Sequence, residues 1–143
     1  MHRFTSRLLL LVALAVVAAG CGNSDSSGDT STAPAPITFT DSFTGILTLN
    51  GATTHPFTVT ATGSITAQLT SLKPDSARPV GLSLGTWNGS ICQVGPGLFN
   101  DKSIQGSVVI GETQTVGDFC VRIYDAAGTV VDPETYVIDV AHR

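Results

Sequence analysis

From residue 37 onward apolar side chains recur at every second position, a period that predicts strands. Phe39 and Phe43 alternate with polar residues, and the run 46–49 leads into Asn50-Gly51, a turn signal. Phe57, Val59 and Ala61 alternate next, and Ile65, Ala67 and Leu69 follow Gly63. Lys73-Pro74-Asp75 and Pro79 mark a loop, beyond which Val80, Leu82 and Leu84 open a strand that ends at Trp87. Asn88-Gly89 predicts a two-residue hairpin turn, setting Thr86 opposite Ile91 and Gly85 opposite Cys92. In that register Leu82, Leu84, Thr86 and Ile91 share the core side, and Gly85, Trp87, Ser90 and Cys92 the other. Residues 95–106 read as a long polar loop, with Val108 and Ile110 in a further strand. The clearest strand spans 117–125, with Phe119, Val121 and Ile123 inward and Cys120, Arg122 and Tyr124 outward. Tyr136, Ile138 and Val140 form the last. About eight such strands predict an all-β domain over residues 37–143, an antiparallel β-sandwich.

The first residues follow another rule. Arg3 and Arg7 precede an apolar run over 8–19, and small residues stand just before Cys21, the marks of a secretory signal. A run of about a dozen apolar residues is short of the roughly 20 that span a bilayer. Ala18-Ala19-Gly20-Cys21 resembles the lipobox of bacterial lipoproteins, with Ala18 where leucine is usual. The resemblance implies removal of residues 1–20, acylation of Cys21 (palmitate among the chains), and an exported protein held to the cell membrane or outer membrane. Gly22 in place of Asp implies outer-membrane sorting in a host with two membranes. Each buried methylene contributes about 0.8 kcal/mol, so two or three acyl chains anchor stably. Residues 21–36 carry no large apolar side chain and read as a flexible tether, stiffened near Pro34 and Pro36.

Composition narrows the function classes. The chain carries a formal charge of −4, and loss of Arg3 and Arg7 leaves five Lys/Arg against eleven Asp/Glu, or −6. With no basic patch, nucleic acid is not expected as a partner. No polybasic segment suggests electrostatic binding to lipid, which leaves the Cys21 lipid as the expected membrane contact. With Cys21 acylated, Cys92 and Cys120 remain as a pair in an oxidising compartment, where a disulfide is the expected state. Both fall off the apolar face of their own strands, so the bridge is expected on the outer face of one sheet, with Gly85 leaving room for it.

The β segments carry a family resemblance of their own. Phe57-Thr58-Val59, Gly63-Ser64-Ile65-Thr66-Ala67-Gln68-Leu69, Gly81-Leu82-Ser83-Leu84 and Gly117-Asp118-Phe119-Cys120-Val121-Arg122-Ile123-Tyr124, closing on Tyr136-Val137-Ile138-Asp139-Val140, are similar to the bacterial pre-peptidase C-terminal domain. The resemblance covers roughly residues 38–140 and implies a jelly-roll-like sandwich appended to exported proteins. Where many members carry an acidic pair, this chain has Arg78-Pro79-Val80-Gly81, so a site built on that pair does not carry over.

Candidate chemistry is sparse. His55 precedes Pro56 and reads as a surface loop residue, and His142 stands one residue from the end; neither has a recognisable nucleophile context. Asp118, Asp125, Asp132 and Glu134 cluster late, and Asp125, Asp132 and Glu134 are weak metal candidates that match no known loop formula. They read rather as solvated turn residues. No cofactor and no catalytic residue is expected. Trp87 and Tyr124, on the outer face, form the candidate ligand-binding surface, since exposed aromatics stack on sugars or anchor proteins. The leading expectation is a non-catalytic binding or accessory module recognising envelope glycan or an exported protein. The alternatives are a small cation-dependent hydrolase using the late carboxylates and a purely structural envelope protein.

Overall fold

The computed structural model describes residues 35–143; the expected signal segment 1–20, Cys21 and residues 22–34 of the expected tether lie outside the described residues. Eight strands follow one another: β1 (Phe39–Leu47), β2 (Ala52–Val59), β3 (Gly63–Lys73), β4 (Val80–Trp87), β5 (Cys92–Ser103), β6 (Val108–Thr113), β7 (Gly117–Tyr124) and β8 (Glu134–His142). They form two four-stranded sheets, ordered β1-β8-β3-β6 and β2-β7-β4-β5, and every pairing is antiparallel. Only β4 and β5 are both consecutive and in one sheet. Every other link passes between the sheets, a jelly-roll arrangement.

Alternation builds the core. Tyr136, Ile138 and Val140 of β8 point inward and are buried, as are Ile65, Ala67 and Leu69 of β3 from the same sheet. Val80, Leu82 and Leu84 of β4 and Val121 and Ile123 of β7 meet them from the other. Burying one such aliphatic side chain contributes about 1.5–3 kcal/mol. The register of β3 against β8 slips by one residue between Leu69 and Ser71, so Leu72, at the opposite parity, continues the buried row.

Several expectations need correction. The turn after β4 is longer than two residues: Trp87 pairs with Cys92, Thr86 with Gln93 and Gly85 with Val94. Asn88 organises it, its Oδ1 accepting from the Ser90 and Ile91 amides at 3.0 and 2.8 Å. Ile91 is therefore left in the turn, 63% exposed, not in the core. The shift is two residues, so Cys92 keeps its face. The expected loop 95–106 is largely strand, because β5 runs on to Ser103 with irregular register against β4. In β6 the inward side chains are Val109 and Thr113, while Val108 and Ile110 face out. Ala61 lies beyond the end of β2.

Candidate functional site

The outward positions of β4 are Gly81, Ser83, Gly85 and Trp87, and the two glycines decide what happens on that face. Gly81 pairs with Tyr124 of β7, and a Cβ at Gly81 would collide with the tyrosine ring. The ring therefore lies flat across β4, and its hydroxyl donates to Asp101 of β5 on the far side. Gly85 pairs with Cys120 of β7, and a Cβ there would strike the Gln93 and Val94 backbone of β5. Here β5 itself folds over the sheet. That fold brings Cys92 to Cys120 with Cα atoms 5.8 Å apart, although β4 lies between their strands and a flat sheet would hold them about 11–12 Å apart in this register. The expected disulfide is present; the space left by Gly85 is taken by strand backbone.

Two straps thus tie β7 to β5 across β4: the Tyr124–Asp101 contact over Gly81, and the Cys120–Cys92 bridge running from the Gly85 position to the Trp87 position beside the β5 backbone that covers Gly85. Ser83 sits between them. Its direct neighbours are Phe99 on β5 and Arg122 on β7, so Phe99, Ser83 and Arg122 form one row across three strands. The Arg122 guanidinium also lies 5.2 Å from the centre of the Tyr124 ring, a cation–π contact. Together with Val94, Gly95, Pro96, Asp101 and Tyr124 this row lines an open groove of about 480 Å³. Ser83 is 1% exposed, and its Oγ is the one buried side-chain polar atom among the described residues without a hydrogen-bond partner. Such an atom costs about 1–3 kcal/mol and calls for a reason.

Sequence reasoning missed Ser83, although Gly81-Leu82-Ser83-Leu84-Gly85 has the Gly-x-Ser-x-Gly spacing of a hydrolase nucleophile. The context differs. A nucleophile elbow is a sharp strand-to-helix turn, whereas Ser83 is central in β4 and has no base hydrogen-bonded to it. The signal that would have found the groove is the pair of small residues flanking a serine at alternate positions, facing Arg122 and Tyr124.

Trp87 and Tyr124 are not brought together. Trp87 lies six residues along β4 from Gly81, where Tyr124 sits, a span of about 20 Å. It is half-buried beside Pro56, Thr58 and Asp118, at the disulfide end of the face. Tyr124 belongs to the groove, where burial and the bond to Asp101 push its hydroxyl up to about 12.

The histidines, Asp125 and Glu134 have structural partners, whereas Asp132 is exposed. His55, expected in a surface loop, is in β2 and faces the other sheet, stacked on Phe43 at 4.9 Å with Nε2 2.9 Å from the Tyr136 hydroxyl. The hydrophobic stretch around it packs between sheets and carries the ring along. His142 is buried against Phe57, with Nε2 3.0 Å from an Asp41 carboxylate oxygen. Glu134, expected in a solvated turn, is fully buried: it accepts from Arg78 Nε at 2.6 Å and from the Asp75 amide at 3.1 Å. It starts β8, where the inward parity of that strand carries it into the sandwich end. Asp125 accepts from the Asn50, Thr129 and Val130 amides and ties the β1–β2 turn to the loop before β8. Burial pushes its carboxyl up, but these backbone donors outweigh it and hold the group below the usual carboxylate range. Among the described residues no three His, Cys, Asp or Glu side chains are grouped to hold a metal ion.

No family model matches the chain, and no curated protein matches it in sequence.

Proposed function

We propose that this chain is a lipid-anchored, non-catalytic binding or accessory module of the bacterial cell envelope, recognising envelope glycan or an exported protein. The observation that supports it is the unpartnered Ser83 hydroxyl on the floor of the strapped groove. A fold retains an unsatisfied buried group at a cost to stability, and a ligand that supplies the missing partner gives the cost a use. The remaining groove chemistry suits recognition: an aromatic wall, a guanidinium and a carboxylate converge, with no activated nucleophile beside them. Asp125 and Glu134 are engaged in internal bonds, which favours binding over cation-dependent hydrolysis. The lipobox-like segment ending at Cys21 supports an exterior address, and the likeness to the pre-peptidase C-terminal domain supports an accessory role.

The test has two parts. Mass spectrometry of native protein should find Cys21 as an acylated first residue. Immobilised wild-type protein should retain an envelope component that Arg122→Met fails to retain; equal retention by both would remove the groove from the function.

A further inference from the structure

We infer that the groove over Ser83 takes a ring of a neutral glycan, a pyranose bound through its hydroxyls and one apolar face; this rests on the binding-module reading above. The lining sets the ligand's chemistry. Phe99, 51% exposed, together with Val94 and Pro96, offers an apolar wall on which the C–H face of a sugar can pack. Arg122 makes no ion pair among the described residues, so its N–H donors are available beside Ser83. Asp101 has one oxygen engaged by the Tyr124 hydroxyl and retains acceptor capacity for a further hydroxyl. Ser83 adds a hydroxyl that both donates and accepts. Donor, acceptor and donor–acceptor groups around an apolar wall match vicinal ring hydroxyls.

Charge decides between neutral and acidic sugars. Arg122 and Asp101 line the same groove and cancel, and the domain around them is acidic overall. An anionic ligand would meet repulsion from Asp101 that offsets its attraction to Arg122. A neutral polyol uses both. Size agrees, because Gly81, under the Tyr124 ring, and Gly85, under the β5 backbone, stand about 13 Å apart along β4, and an open groove of about 480 Å³ lies within the range of small-ligand sites.

Calorimetry of the full chain in detergent micelles tests this, with tetrasaccharides of mannose, glucose and N-acetylglucosamine as neutral probes and tetragalacturonate as the anionic one. At least one neutral probe should bind, and more tightly than tetragalacturonate. Ser83→Ala should weaken that binding about fivefold while the melting temperature holds or rises, which separates lost recognition from lost folding. Arg122→Met, which keeps an apolar stem over Tyr124, should weaken it about tenfold or more, and Trp87→Ala should leave it unchanged. The inference is overturned if no neutral probe binds, if tetragalacturonate binds more tightly than all of them, or if Ser83→Ala and Arg122→Met bind as wild type. Should that occur while Arg122→Met still abolishes envelope retention, the sugar class fails and the module reading stands. Should retention also be unaffected, both fail.

Discussion

The Tyr124 hydroxyl donates to Asp101 across the full width of β4, over a glycine whose missing side chain leaves the ring its path. This contact keeps a proton on the phenol to about pH 12, first through burial and then through the carboxylate beside it. The ordinary value is 10.0, so between about pH 10 and 12 the folded chain holds a proton that the unfolded chain has lost. Stability contributed by this group is complete below pH 10 and is lost as pH rises toward 12. Denaturant midpoints measured across that range should fall for wild type, and less steeply for Tyr124→Phe. A matching slope in both would dissociate the bond from stability.

Ser83→Ala should make the domain more stable. Removing an unpartnered buried hydroxyl recovers about 1 kcal/mol, or about 4–8 °C in melting temperature for a domain of this size. A lower melting temperature by calorimetry would mean that Ser83 has a partner in solution.

The disulfide joins residues 28 apart in sequence, so closing that loop contributes roughly 3.5 kcal/mol in the chain-entropy description. The double variant Cys92→Ala/Cys120→Ala should therefore melt about 15–25 °C lower. Its loss should also loosen β5 over Gly85, seen as faster amide exchange at Gln93 and Val94 than at β8.

His55 gives a separate dependence at the acid side. Burial between the sheets lowers its pKa below 6.5, and its polar neighbour there is the Tyr136 hydroxyl. Above pH 6.5 the neutral ring fits without penalty; as pH falls below it, the unfolded chain takes up a proton before the folded one, and stability is lost until the folded chain also protonates. His55→Phe, which keeps the stack on Phe43, should flatten the stability profile below pH 6.5. An unchanged profile would assign the acid loss elsewhere.

Much of the sandwich was legible because alternation is local. The inward set of β7 and β8 follows directly from Phe119-Val121-Ile123 and Tyr136-Ile138-Val140; the disulfide follows from Cys92 and Cys120 being the two cysteines left to pair, and its face from their parity. Register was less legible. The step between Leu69 and Ser71 and the Asn88-centred turn depend on hydrogen bonds to distant strands and on side-chain caps that a period of two does not encode. The groove was half legible: Tyr124 was a candidate, but its separation from Trp87 requires the β4–β7 register, and Ser83 gains meaning only between Phe99 and Arg122. Glu134 looked solvated because its partner Arg78 is 56 residues away in the chain.

The bridge between Cys92 and Cys120 lies outside the groove's lining, yet it ties β5, which supplies Val94, Gly95, Pro96, Phe99 and Asp101 to that lining, to β7. A newly made chain with free thiols has the residues of that lining but lacks the cross-link that holds β5 beside them. The last tightening of this face is thereby deferred until the chain has met an oxidant.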